Sequence, residues 1–213
     1  MKRILCFGDS NTWGYVPGSG DRYAEDVRWT GVAQQLLGPE YRIIEDGING
    51  RTTVWDNPYL TCRSGIEGIG YSLLSARPLD LVVVMLGTND LVYTNCFGYS
   101  QGLPQIVRRI LYAEGFFQDT SKIFTGSPQV LLVSPVRLHP DIDKIKPDAP
   151  IGARYADSCR FVEWTEQVAR EYHVPWVDAA AVAGSSEVDG LHLTPEGHRA
   201  IGQLVAAKIR EIL

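Results

Sequence analysis

Four short polar clusters hold the residues best suited to chemistry: Gly8-Asp9-Ser10-Asn11, Gly47-Ile48-Asn49-Gly50-Arg51-Thr52, Gly87-Thr88-Asn89-Asp90 and Asp189-Gly190-Leu191-His192. A serine hydroxyl alone is a weak nucleophile. It attacks a carbonyl when a base takes its proton and a carboxylate orients that base. Ser10 can be that nucleophile, His192 the base and Asp189 the acid. Their three-residue spacing within a turn can bring the carboxylate to the imidazole Nδ1 and leave Nε2 facing Ser10. Acyl chemistry also needs donors where negative charge develops. The Ser10 N–H, the Gly50 N–H and the Asn89 amide are the candidates, and glycine at 50 lets the backbone approach closely.

The elements that must hold these clusters are legible as an alternation. Five apolar runs, Arg3–Phe7, Tyr41–Glu45, Leu79–Leu86, Gln129–Val133 and Val174–Val177, lack polar alternation and read as strands buried on both faces. Helical spacing appears between and after them, in Trp29, Val32, Ala33 and Leu36, then in Ile106, Val107, Ile110 and Leu111 behind Pro104, then in Tyr155, Cys159, Val162 and Ala169. A glycine-rich helix is expected over Cys62 to Ala76. The last helix opens with Thr194 as cap and Pro195 in its first turn, and continues through Ile201, Leu204, Val205, Lys208 and Ile212. Strand–helix alternation predicts an α/β chain, a three-layer α/β/α sandwich around a five-stranded parallel sheet. In such a sheet, ligands bind beyond the carboxyl ends of the strands, where the first three clusters fall. The stretch His139–Ile151 reads as the longest irregular loop, either a cover over a site or a solvated surface.

Composition narrows the function classes. The chain has 213 residues, enough for one domain spanning 1–213 and a full core. Twenty basic against 25 acidic residues give −5, with no basic run, so nucleic acid and membrane surfaces are poor partners. Cys6, Cys62, Cys96 and Cys159 are scattered, so neither a zinc site nor a disulfide is expected. Asp9, Asp189 and His192 lack metal-ligand spacing, and Asp141-x-Asp143 lacks the rest of a calcium loop. No cofactor is expected. The apolar run Ile4–Phe7 is too short for a signal peptide and Leu79–Leu86, broken by Asp80, is too short for a bilayer span, so a cytoplasmic location is expected.

Taken together, the four clusters resemble the sequence blocks of the SGNH hydrolases, also called GDSL esterases/lipases. Gly8-Asp9-Ser10 matches the first block, Gly47-x-Asn49-Gly50 the second, Gly87-Thr88-Asn89-Asp90 the third and Asp189-x-x-His192 the last. The resemblance covers residues 3 to about 200 and implies a flavodoxin-like sheet of order 2-1-3-4-5. It implies catalytic Ser10, Asp189 and His192, and an oxyanion hole of Ser10, Gly50 and Asn89. Asp26-Val27-Arg28-Trp29-Thr30-Gly31 and Gly50-Arg51-Thr52-Thr53 resemble the arylesterase/acyltransferase subgroup. That subgroup implies a small ester substrate and a homo-oligomer, with acyl transfer to alcohols beside hydrolysis. A carbohydrate O-acetylesterase or a short-chain lipase of the same family is the alternative activity. Asn11 stands where the family's name has leucine. Trp13 and Asn11 are expected to touch substrate, and two or three of Trp13, Tyr15, Trp55, Tyr59, Tyr93 and Phe97 are expected to line the acyl pocket. Two rivals come from other classes. Gly98-Tyr99-Ser100-Gln101-Gly102 fits the G-x-S-x-G nucleophile elbow, although Ser100 is expected at or near the cap of the Ile106–Leu111 helix. A second, non-enzymatic class of reading is a flavodoxin-like module binding a small anion at Gly8–Asn11, which would need no catalysis.

Overall fold

The computed structural model describes residues 1–117 and 121–213. Strands β1 (Lys2–Gly8), β2 (Tyr41–Gly47), β3 (Leu81–Met85), β4 (Val130–Ser134) and β5 (Trp176–Asp178) form one sheet in the order β2-β1-β3-β4-β5. Every pairing is parallel. Gly8 is level with Gly47 on one side and Met85 on the other, so three chain segments leave the sheet side by side.

Alternate residues feed two cores. Ile4 and Cys6 of β1, Leu81, Val83 and Met85 of β3, and Leu131 and Val133 of β4 pack with Trp29, Ala33 and Leu37 of α2 (Trp29–Leu37) and Ile201, Val205 and Ile209 of the C-terminal helix Pro195–Ile212. Leu5, Phe7, Val82, Val84, Val130 and Leu132 face the opposite layer, which holds α3 (Gly65–Ala76), α4 (Cys96–Leu111) and the helix Phe161–Tyr172. Each fully buried Val, Leu, Ile or Phe contributes about 1.5–3 kcal/mol. The central strands supply such residues to both faces, which explains their uninterrupted apolar runs.

Several boundaries differ from the sequence expectation. Leu36 is exposed and Leu37 takes the buried seam of α2. The helix expected from Cys62 begins at Gly65, because Cys62 adopts a left-handed backbone, φ 64°, that a helix cannot include. Helix α4 starts at Cys96 and carries Pro104 inside it. Asn95 caps it, accepting from the Phe97 and Gly98 N–H groups at 3.1 and 3.3 Å. The Tyr155–Ala169 stretch divides into two helices, Tyr155–Ser158 and Phe161–Tyr172. His139–Ile151 is not irregular throughout. It holds a helical turn at Ile142–Ile145 and leads into a 3₁₀ turn at Pro150–Ala153, and Ile142 and Ile151 are buried.

Candidate active site

Ser10 opens a four-residue helix, α1 (Ser10–Trp13), directly after β1. Asp9 caps it, its Oδ1 accepting from the Asn11 N–H at 2.9 Å. As the first helical residue, Ser10 has no carbonyl one turn earlier for its own N–H. The side chain of Thr12 lies against Gly8, where a Cβ would come within 2.0 Å of the threonine Oγ1. Gly47 faces the same turn, and a Cβ there would lie 2.2 Å from Trp13 N. Two glycines at paired strand ends thus let α1 sit low against the sheet.

The Asp189–His192 turn explains its own spacing. One carboxylate oxygen of Asp189, Oδ1, accepts from the backbone N–H groups of Leu191 at 3.1 Å and His192 at 3.0 Å. The other, Oδ2, meets His192 Nδ1 at 2.6 Å. His192 Nε2 lies 2.9 Å from Ser10 Oγ. The imidazole therefore donates to the carboxylate through Nδ1 when Nε2 accepts the serine proton. Burial would raise the Asp189 carboxyl, but the hydrogen bonds and charge of His192, with the backbone donors, hold it at about 2. The turn is tied to the nucleophile's own segment through Asn11. Its Oδ1 accepts from the Leu193 N–H at 3.0 Å and its Nδ2 donates to the Leu191 carbonyl at 3.3 Å. Asn11 is buried with both ends of its amide in use. It fastens the histidine turn to the serine helix.

The second and third clusters are fastened to each other as well. Asn89 Nδ2 donates to the Arg51 carbonyl at 3.0 Å, which leaves its second amide hydrogen free for another acceptor. Buried Asp90 accepts from the Thr53 N–H through Oδ2 at 3.0 Å and from the Thr53 hydroxyl through Oδ1. Burial raises this carboxyl to about 7, against the pull of the Thr53 bonds. Burial also raises Asp9 to about 6, opposed by the Asn11 N–H and by the His192 and Arg51 charges. The Arg51 guanidinium donates to the carbonyls of Gly8 at 3.0 Å and Asp46 at 2.7 Å, and to Asp46 Oδ1 at 2.7 Å. It lies over the Phe7 ring at 4.0 Å. Gly50, φ 80°, turns the chain immediately before it.

The aromatic candidates take different positions around the site. Tyr15 stacks on His192 with ring centroids 4.1 Å apart. Trp13 is half-buried beneath Arg22, whose guanidinium lies 5.1 Å from the indole centroid. Tyr59 and Phe97 are exposed, and Tyr93 accepts from Asn57 at 2.6 Å. His198 is fully buried. It accepts from the Trp29 N–H at 3.2 Å, and burial lowers it to about 4. Its spacing from Ile201 and Val205 placed it on the buried stripe of the helix.

The elbow motif has a different explanation. Ser100 lies inside α4, one turn after its Asn95 cap, and donates to the Phe97 carbonyl at 2.6 Å. Gly102 lies under Thr53, with a Cβ there falling 2.0 Å from Thr53 Oγ1. The glycines of this motif serve helix packing. Among the described residues, no group of three or more His, Cys, Asp or Glu could hold a metal ion. No helix among them is long and apolar enough to cross a membrane.

A parallel α/β sheet carrying serine, imidazole and carboxylate side by side at its carboxyl edge is the framework of an ester hydrolase. The chain belongs to the GDSL-like Lipase/Acylhydrolase family, whose model matches residues 6–200. The native M. smegmatis aryl esterase is 34% identical over 100% of both chains, with a TM-score of 0.91. A carbohydrate acetylesterase from Sinorhizobium meliloti is 31% identical over 100% of both chains, also at 0.91. A lipase/acylhydrolase from Enterococcus faecalis, 20% identical over 99% of this chain and 96% of that one, shares the fold at a TM-score of 0.69. No curated protein matches the sequence significantly. Family and neighbours together make the chain a carboxylic ester hydrolase of the SGNH arylesterase group. The small-anion binding module is thereby set aside.

Proposed function

We propose that this enzyme hydrolyses small acyl esters of the acetyl type through Ser10, His192 and Asp189. The observation that carries the reading is the continuous line from Asp189 Oδ2 to His192 at 2.6 Å and from His192 to Ser10 Oγ at 2.9 Å. His192 Nε2 takes the serine proton as Oγ bonds to the ester carbonyl carbon. The carbonyl π electrons move onto oxygen, which accepts from the Ser10 N–H, the Gly50 N–H and the free amide hydrogen of Asn89. Asp189 keeps the proton of the imidazole on Nδ1 and stabilises the imidazolium. The tetrahedral intermediate collapses, the alcohol leaves with the proton from Nε2, and an acyl-enzyme remains. Water, deprotonated by His192, then releases the acid. An alcohol in place of water gives acyl transfer.

Tyr15 covers one face of the imidazole, which restricts the ring to the plane shared with Ser10 and Asp189. Trp13 stands as the aromatic wall beside the nucleophile. Aryl and carbohydrate acetates are the substrate classes to try first, since proteins of both descriptions share this fold at more than 30% identity. Hydrolysis of p-nitrophenyl acetate, butyrate and octanoate by the wild type, Ser10→Ala and Ser100→Ala tests the reading. It requires loss only in Ser10→Ala, with acetate preferred. Loss only in Ser100→Ala would refute it.

A further inference from the structure

Several cations around the sheet edge are paired. Arg51 meets Asp46 at 2.7 Å, Arg28 meets Glu45 at 2.9 Å, and Arg22 shares Glu45 with it. Arg63 has no acidic partner within ion-pair distance among the described residues. Its hydrogen bond is a single one, from Nη1 to the Thr61 carbonyl at 3.2 Å. Its Nε is buried and has no partner. An unsatisfied buried N–H on a cation is rare in folded proteins and costs stability, so it calls for a physical reason.

Its location supplies one. The Arg63 carbonyl accepts from the Thr52 N–H at 3.0 Å, and Thr52 and Ser64 form a parallel bridge, so its backbone is fixed to the Gly50–Thr53 segment. The side-chain stem lies against Gly50, where a Cβ would be 3.4 Å from both Arg63 Cδ and Nε. The backbone and stem are thus held next to the glycine assigned to the oxyanion, while the head keeps unused donors. A guanidinium fork matches a carboxylate with two parallel N–H bonds. In a chain of net charge −5, an unpaired cation at that place stands out from the general charge.

We propose that Arg63 is a specificity residue that binds a carboxylate carried by the ester substrate, on either the acyl or the alcohol side of the bond cleaved. The inference rests on Gly50 serving the oxyanion, as proposed above. No bond is made or broken by Arg63. It forms hydrogen bonds that are present in both the bound ester and the transition state.

The test is a ratio of kcat/KM values, charged ester over its methyl-capped neutral twin. One arm uses p-nitrophenyl hydrogen adipate against p-nitrophenyl methyl adipate. The other uses para-acetoxybenzoate against its methyl ester. In the wild type at least one arm should favour the charged ester, by about 10- to 100-fold, as a charge-assisted pair provides. The arm that does so locates the carboxylate. Arg63→Gln should bring that ratio close to one, and Arg63→Lys should retain part of it. A wild-type ratio near one in both arms overturns the proposal, whether or not the variants fold. So does a high ratio that survives in folded Arg63→Gln. Failure of the proposed function shows separately, as hydrolysis of p-nitrophenyl acetate that persists in Ser10→Ala.

Discussion

One amide hydrogen of Asn89 is committed to the Arg51 carbonyl at 3.0 Å, so the side chain joins two clusters while its second hydrogen remains available. In the proposed mechanism that hydrogen meets the oxyanion. Asn89→Ala is then expected to lower kcat for p-nitrophenyl acetate by about 100- to 1,000-fold. KM should change little, because the charge it meets develops after binding. A rise confined to KM would instead assign Asn89 to ground-state binding. At this scale the sequence revealed residues whose partners are near in the chain, such as Asp189 and His192 within one turn. The bracing role of Asn11 was not legible because its partners, Leu191 and Leu193, lie 180 and 182 residues away and are backbone groups that leave no compositional trace. The stacking of Tyr15 on His192 and the unpaired state of Arg63 are hidden for the same reason.

Loops and helices are joined by buried carboxylates. The Thr53–Asp90 contact links the segment after β2 to the segment after β3, and Gly102 of α4 makes room for Thr53 beneath it. Burial raises Asp90 to about 7, and Asp9 to about 6, above the ordinary carboxylate value in an unfolded chain. The native protein therefore binds more protons than the unfolded chain between about pH 4 and these values. The sign follows: their contribution to stability is greatest below about pH 4 and declines as pH rises through 6 to 7. Asp189 has the opposite sign, with its contribution present above about pH 4 and lost as pH falls through about 2. In thermal melts, Asp90→Asn should show a smaller decline in Tm from pH 5 to pH 8 than the wild type. Equal declines would show that Asp90 does not titrate with folding. Strands were the most legible elements, because burial on both faces writes itself as a continuous apolar run. Helix α4 was less legible. Pro104 is favoured in a first turn, and that preference obscured the true start at Cys96 behind the Asn95 cap. The turn at Ile142–Ile145 was read as irregular because its prolines and charges outweighed one buried isoleucine.

At the scale of the molecule, the order β2-β1-β3-β4-β5 brings the ends of β1, β2 and β3 together, and the last helix returns the Asp189–His192 turn to the same edge. The Thr194 hydroxyl caps that helix, accepting from the Gly197 N–H at 3.3 Å. Thr194→Ala should cost about 1 kcal/mol of stability in denaturant titration. Because the cap follows His192 by two residues, activity near the melting transition should fall earlier than in the wild type. An unchanged denaturation midpoint would mean that the buried face alone holds the helix. The central claim is that Ser10 is the nucleophile, and labelling with a fluorophosphonate tests it most directly, since that reagent bonds to an activated serine held beside oxyanion donors. Peptide mapping should place the phosphonyl group on Ser10, with labelling abolished in Ser10→Ala and in His192→Ala. A label on Ser100, or no label on a protein that hydrolyses p-nitrophenyl acetate, would contradict the account.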